Sequence, residues 1–309
     1  MPDVYFPVYT NQSSRLATTS GVSIREDTTY TNAKGDEKGG IRKRTEKAIE
    51  KLQEPLRKLL EPGEAIFCVV PAYLPINQLE QLFLGWLATT TDQGVLVLTN
   101  RRLLFFLVGR NGLWKRSVRS VSLGDIEKAT VKSWFGARLE MLYRNGKKEA
   151  YRRIRVDDAK RMKVMLPLLL DAAVSERSPA NGRVHLCPQC YAILTEGNYQ
   201  CPKCNLEFKS EKTMVRRAWI FPGAAYHYAR HTGLAVLDFL IEALVLLEIL
   251  LWTLVALGLT QPDTNPGETP ITGAAAWILV GIFVAIWAGK RLLIVRHCRR
   301  FIQEYIPAN

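Results

Sequence analysis

The stretch GLAVLDFLIEALVLLEILLWTLVALGL, residues 233–259, and its companion ITGAAAWILVGIFVAIWAG, residues 271–289, decide how the rest of the chain is read. A helix needs about 20 mostly apolar residues to cross the hydrocarbon core of a bilayer. Both runs are near or above that length, and QPDTNPGETP (261–270) between them is a polar turn. The expectation is an α-helical transmembrane hairpin. Its rival is a buried core hairpin in a soluble domain, but two such runs seldom stand so close in a soluble core.

Charge sets the orientation. Lys209, Lys212, Arg216, Arg217 and Arg230 precede the runs, and Lys290, Arg291, Arg296, Arg299 and Arg300 follow them. The turn holds Asp263 and Glu268 and no Lys or Arg. Positive residues mark the cytoplasmic side. The expected location is an inner or plasma membrane, multi-pass, with both termini cytoplasmic and the 260–270 turn outside. Trp219, Tyr228 and Trp252 suit interfacial positions. The opening MPDVYFPVYTNQSS lacks a basic start and a long apolar core, so the hairpin itself is expected to direct insertion.

Asp238, Glu242 and Glu248 interrupt the first run. Each such residue costs roughly 2.5–3.5 kcal/mol near mid-membrane, so it usually faces a partner or a cavity. If the helix begins before Tyr226, then His227, His231, Asp238 and Glu242 fall within about 60° of one another at ~100° per residue. That stripe is either a metal or proton site or, as the simpler reading, a set of contacts to the second helix or a sister subunit.

Upstream, residues 1–40 are rich in Thr, Ser, Asn and Gly without periodicity, the composition of a disordered segment. Residues 41–60 repeat Ile41, Ala48, Ile49, Leu52, Leu56, Leu59 and Leu60 at helical spacing, with a kink expected at Pro55. Interleaved Glu46, Glu50 and Glu54 favour a helix packed on the next domain over one lying on lipid. Residues 61–173 read as one domain: strands at EAIFCVVPAY, GVLVLTNRRLLFFLV and RSVRSVSLGDIEKATVKS, then a hairpin in ARLEMLYRNGKKEAYRRI. Asn145-Gly146 predicts a type I′ turn there. VDDAKRMKVMLPLLLDA closes the domain as a helix, with Asp157 as N-cap and Met162, Met165, Leu166 and Leu169 as its apolar stripe. Residues 73–93 are longer than a tight hairpin needs, and a short apolar element leaning on the membrane is expected within them.

GVLVLTNRRLLFF, a basic loop, VSLGDIEKATV and a closing helix together resemble the bacterial PH-like and GRAM-like domains. A strand ending in "LTN-R-L" is the recognisable feature of those families, matched by Leu98, Thr99, Asn100, Arg101, Arg102 and Leu103. The resemblance covers roughly a third of the chain. It implies an antiparallel PH-like β-barrel with a C-terminal helix, in families that bind acidic phospholipids or act in assembly. The fold class expected is therefore α+β and multidomain: PH-like barrel, zinc ribbon and membrane hairpin.

A linker (174–185) leads to Cys187-Pro-Gln-Cys190 and Cys201-Pro-Lys-Cys204, within a ribbon over 186–208. Four thiolates in two CxxC knuckles suit a closed, tetrahedral, structural Zn²⁺ site. Disulfides are disfavoured in a reducing cytoplasm, and a redox CxxC would need a thioredoxin-like βαβ setting. Asn205 suits the left-handed backbone often wanted after a knuckle; Tyr191 suits it less. A basic segment (209–232) joins the ribbon to the hairpin, and residues 290–309 form a basic tail.

The formal charge is +13, and residues 94–165 alone hold 18 Lys/Arg against 6 Asp/Glu. Such an excess calls for an anionic partner. With a membrane at hand, Arg101, Arg102, Arg110, Lys115, Arg116 and Arg119 are the expected contacts to anionic lipid or an acidic protein, each worth about 1 kcal/mol near such a surface. No nucleophile–base set, phosphate-cradling loop or open metal site is visible. The functional expectation is a non-enzymatic membrane adaptor or scaffold, with a protein partner or a second copy. Two alternatives stay open. One is a membrane-tethered nucleic-acid-binding regulator, disfavoured because residues 187–204 contain only Lys203 as a basic residue. The other is a membrane enzyme using the His/Asp/Glu stripe.

Overall fold

The computed structural model describes residues 16–19, 21–74, 93–109, 111–132, 136–173, 181–260 and 273–308. Two compact units divide the chain, residues 1–207 and 208–308.

The first unit is a mixed α+β structure on a large sheet. Its strands are β1 (Leu16–Thr19), β2 (Val22–Arg25), β3 (Ile66–Tyr73), β4 (Gln93–Thr99), β5 (Arg102–Val108), β6 (Trp114–Ser122), β7 (Ile126–Lys132), β8 (Ala137–Tyr143), β9 (Lys148–Ile154), β10 (Val184–Leu186) and β11 (Ile193–Leu194). The order is β11-β10-β6-β5-β4-β3-β9-β8-β7, antiparallel along this path, with β2 pairing β3 in parallel and β1 pairing β2. The closed barrel expected from the sequence is not seen. The sheet is open, and β7 and β11 are the two ends of its order. Only Tyr73↔Arg152 joins β3 to β9, at the far end of β3.

β4 and β5 are buried along almost their whole length. That accounts for two consecutive apolar runs in place of an alternating pattern, since both faces are covered. One face meets α2 (Gly39–Leu59), whose Ile49, Leu52 and Leu56 join Val69, Val95, Val97, Leu104 and Phe106 in the core. On the other, Phe105 packs on Tyr151 of β9 with ring centroids 5.1 Å apart. Gly94 permits this: a Cβ there would lie 2.1 Å from the Phe105 ring. Pro55 sits inside α2 without ending it, and the helix packs on its own unit, the simpler of the two sequence readings.

Residues 21–31, read from composition as part of a disordered start, are ordered. α1 (Glu26–Thr29) follows β2, and Val22, Ile24 and Tyr30 are core residues. Ile24 pairs with Ile66 of β3, and the carbonyls of Thr29 and Thr31 are held by Arg161 of α3 (Val156–Ala172), described below. In α3 the predicted stripe Met162, Met165, Leu166 and Leu169 is buried. Arg155 is the N-cap, with no side-chain capping bond, so Asp157 acts instead as an acid in the first turn, favourable to the helix dipole. The Asn145-Gly146 hairpin forms, but only Gly146 has positive φ (78°), and Gly146 N–H bonds Tyr143 O at 2.9 Å. A type I turn followed by a left-handed residue replaces the predicted type I′ turn.

The second unit is helical: α4 (Glu211–Ile220), α5 (Ala224–Tyr228), α6 (Thr232–Ala256) and α7 (Gly273–Ile302). Ser210 caps α4 by accepting from the Thr213 amide at 3.3 Å. Met214, Ala218, Tyr226, Ile294, Cys298, Phe301 and Ile302 form a small buried core, and the chain end returns so that Phe208 bridges Pro307. Among the described residues one helix, Gly273–Ile302, is long and apolar enough to cross a membrane by length and composition. α6 is apolar over much of its length but carries Asp238, Glu242 and Glu248. The expected 261–270 turn lies outside the described residues.

Candidate metal centre and buried charge clusters

The two knuckles superpose in chemistry. Cys187 N–H bonds Ala192 O and Tyr191 N–H bonds Cys187 O; Cys201 N–H bonds Leu206 O and Asn205 N–H bonds Cys201 O, at 2.9–3.0 Å. Tyr191 and Asn205 both adopt φ near +56–57°, so the bulky Tyr accepts a conformation that Asn takes more readily. The payoff is geometric. The four sulfurs lie within 4.8 Å of one another, with Cys187–Cys204 and Cys190–Cys201 at 3.5 Å. A tetrahedron with ~2.3 Å metal–sulfur bonds has edges of about 3.8 Å, whereas a disulfide needs ~2.05 Å. Four cysteines here can therefore hold a metal ion, and they fit a closed site.

The amides of the knuckles aim at sulfur. Burial drives the Cys187 thiol up to about 12, against hydrogen bonds from the Cys190 and Gln189 amides. At Cys201 burial also acts upward, but the Cys204 and Lys203 amides and the neighbouring thiols outweigh it and bring it to about 7. Cys201 is thus the sulfur whose thiolate the knuckle amides favour most. β10 precedes the first knuckle and pairs with β6 through Leu186↔Val118 and His185↔Arg119, which anchors the first cysteine knuckle to the sheet.

The LTN-R-L residues form a latch. Thr99 Oγ1 donates to Glu64 Oε1 at 2.7 Å and accepts from the Arg101 and Arg102 amides. Asn100 clasps the Gly63–Ala65 backbone, accepting from Ala65 N–H at 3.0 Å and donating to Gly63 O at 3.1 Å. Arg102 grips Glu64 through Nε and Nη2, at 2.9 and 2.6 Å, while Arg101 reaches Glu61 at 2.8 Å. Glu64 is fully buried; burial raises its pKa, but Arg102, the Glu61 amide and Thr99 carry it below the ordinary carboxylate value.

Of the six cations singled out in the sequence, Arg101 and Arg102 thus hold internal ion pairs. Arg119 is buried and pairs with Glu149 at 2.5 Å. Glu149 also binds Arg183 at 3.0 Å and accepts from Tyr143 OH. Lys115 is half-buried and Arg116 is exposed, with φ 59°. Arg110 lies outside the described residues. Sequence reasoning missed Arg161, among the largest fully buried side chains of the described residues. Its Nη1 donates to the carbonyls of Thr29 (2.9 Å) and Thr31 (3.2 Å), and its Nη2 to Asp158 Oδ1 (2.7 Å).

In the helical unit Asp238 and Glu242 find partners at the far end of the other apolar run. Lys290 Nζ lies 2.6 Å from Asp238 Oδ1 and 3.1 Å from Glu242 Oε2. Arg291 pairs with Glu242 Oε1 and donates to Ala218 O. Trp287 Nε1 donates to Glu242 Oε1 at 2.9 Å, and the Gly223 amide donates to Asp238 Oδ2 at 3.0 Å. Lys290 and Arg291, read from the sequence as flanking charges, are counter-ions. The signal was present: Glu242 and Lys290 each stand 24 residues from Pro266, the middle of the turn.

The four-residue stripe does not assemble. α5 ends at Tyr228 and α6 begins at Thr232, with Arg230 at φ 61° between them, so no single helix carries all four. His227 is exposed, and His231 stacks on Phe301 with centroids 4.0 Å apart. Tyr226 OH instead meets His297 Nδ1 at 3.0 Å. Glu248 accepts from Trp252 Nε1 of its own helix at 3.2 Å.

No protein-family model matches the chain, and no curated protein matches it. Among solved structures there is a likeness to the C-terminal domain of an unknown protein from Leishmania infantum, 11% identical, covering 41% of this chain and 93% of that one, with a TM-score of 0.24. At that score the likeness carries no argument.

Proposed function

We propose that this protein is a membrane-anchored, non-enzymatic adaptor or scaffold. One observation carries the reading. Among the described residues of 208–308, twenty large apolar side chains are exposed, among them Leu240, Leu244, Leu247, Leu250, Leu251, Trp277, Ile278, Ile282 and Ile286, while Asp238, Glu242 and Arg291 are buried. In water an apolar surface of that extent signals a partner or a membrane, and ionised groups inside a membrane bundle pair with one another.

α6 and α7 then form a two-helix hairpin. Phe239 to Leu257 spans ~27 Å at 1.5 Å per residue, close to the hydrocarbon thickness. The Lys/Arg distribution supports cytoplasmic termini at an inner or plasma membrane. A four-strand meander β3–β6, a three-strand meander β7–β9 and a closing helix support a PH-like reading of the first unit, with the LTN-R-L residues as its internal latch. Spacing and sulfur geometry support structural Zn²⁺ at Cys187, Cys190, Cys201 and Cys204. Because Arg101, Arg102 and Arg119 are engaged internally, the contact to anionic lipid or an acidic protein falls to exposed cations such as Arg116, Lys128 and Lys148.

Alkaline carbonate washing of membranes tests the anchor. The full chain is expected to stay in the pellet; release into the supernatant overturns the reading.

A further inference from the structure

An apolar cavity of 340 Å³ lies in the helical unit, within the range of small-ligand pockets. Phe221, Pro222, Val236 and Phe239 line it, together with Arg217 and His227. Gly223 makes its shape possible. That residue has φ +74°, and a Cβ on it would stand 2.3 Å from Ala235 O, so no other residue lets the start of α5 close onto α6. Phe221 and Phe239 stack at 5.9 Å, and Phe221, Val236 and Phe239 are all exposed on their outer sides.

Positive charge converges beside this cavity, and the carboxylate next to its Gly223 wall, Asp238, is already paired with Lys290. Arg217 lies over the Tyr228 ring at 4.6 Å, and Lys209 Nζ sits 5.0 Å from the same centroid. Lys209 is buried and donates to Tyr228 O. Burial first, then repulsion from Arg230 and Arg217, draws its pKa down to about 8. Among the described residues, no carboxylate pairs with Lys209, Arg217 or Arg230, whereas Lys290 and Arg291 in the same unit are both neutralised. Arg217 stands exposed at the edge of the apolar wall, so a molecule that joins an anionic group to a hydrocarbon chain complements both.

We propose that this cavity binds one anionic phospholipid, with the first part of an acyl chain against Phe221, Val236 and Phe239 and the phosphate at Arg217 and His227. The proposal rests on the membrane reading of α6 and α7.

The test uses the full chain purified from membranes in mild detergent, with phosphatidylglycerol and phosphatidylcholine as probes and native mass spectrometry as readout. One phosphatidylglycerol per chain should survive conditions that strip phosphatidylcholine. Arg217→Gln, at an exposed position, should lower its retention about fivefold, and His227→Gln, also exposed, should lower it too. Val236→Trp, also exposed, should block the cavity and release lipid of either headgroup. Equal retention of the two lipids, or variants that hold phosphatidylglycerol as the parent does, overturns the proposal. A parent chain released by alkaline carbonate fells the membrane reading and this proposal with it; a chain kept in the pellet but without headgroup preference fells this proposal alone.

Discussion

The two units expose different things. Among the described residues of 1–207, four large apolar side chains are exposed, Leu113, Val156, Leu168 and Ile193, against twenty in 208–308. Both units also bury ion pairs, Asp158–Arg161 in the first and Glu242–Arg291 in the second. In the first, the pair serves a segment that has little apolar surface of its own: Arg161 satisfies the carbonyls of Thr29 and Thr31. In the second, charges meet between helices whose outer faces are apolar. The same chemistry thus sits in two settings, beneath a largely polar surface in the first unit and beneath apolar helix faces in the second.

The largest expected effect is on the metal centre. Structural zinc contributes roughly 10–16 kcal/mol of apparent binding energy in small fingers. Cys201→Ser should abolish tight zinc binding and open 184–207 to hydrogen exchange, while β3–β5 and the membrane anchoring stay as in the parent. Purified protein with no zinc, or with iron at full occupancy, contradicts the assignment.

Next come the buried pairs, which sharpen the contrast directly. Glu242→Ala strands Arg291, while Lys290 keeps Asp238; Arg161→Ala strands the loop carbonyls and leaves Asp158 with Arg44 alone, at 3.6 Å; each should cost about 3–5 kcal/mol. Replacing Glu242 and Arg291 together by Leu and Met should recover most of the loss, since an apolar pair suits that site. The Arg161 loss should not be recovered by Asp158→Leu, because backbone carbonyls remain unbonded. Thermal unfolding of the detergent-solubilised chain, followed by hydrogen exchange in each unit, reads both.

A smaller effect is acid sensitivity confined to the sheet. Glu64 and Glu149 are held below the usual carboxylate range, in each case against burial, by Arg102 and its neighbours and by Arg119 and Arg183. Depressed folded values mean stability that is complete above the unfolded pKa of ~4.3 and is lost as pH falls through the folded values. Protection from hydrogen exchange in β4–β5 and β8–β9, relative to the unstructured rate at each pH, should fall below about pH 4 and stay flat from about pH 5 to 8. Loss between pH 5 and 7 would show that these pairs do not govern the sheet. Smallest is Arg116→Asn, which relieves a left-handed backbone at an exposed site and should add at most about 1 kcal/mol, seen as a higher denaturant midpoint for the first unit.

Much was legible in the sequence wherever spacing alone imposes geometry. The CxxC pairs, the α3 stripe at Met162, Met165, Leu166 and Leu169, and the turn at Asn145-Gly146 are local patterns. What escaped depends on partners distant in the chain. Val22, Ile24 and Tyr30 looked like scattered residues in a polar segment because their partners, β3 and the core for Val22 and Ile24 and Arg161 for the adjoining Thr29 and Thr31 carbonyls, lie well beyond the segment itself. Arg101 and Arg102 looked like a basic surface because Glu61 and Glu64 belong to the loop before β3. The sheet's openness was hidden for the same reason: closure is decided by which edges pair, and strand patterns do not say. Asp238 and Glu242 announced a partner, but its identity required the symmetry of Glu242 and Lys290 about the turn.

The claim that the second unit is an inside-out hairpin in a bilayer is tested most directly by topology. Asn265→Cys and, separately, Lys212→Cys would be placed in the full chain and treated in intact cells with a membrane-impermeant maleimide. The hairpin requires labelling at position 265 in intact cells and at position 212 only after lysis. Labelling of position 265 only after lysis would contradict it.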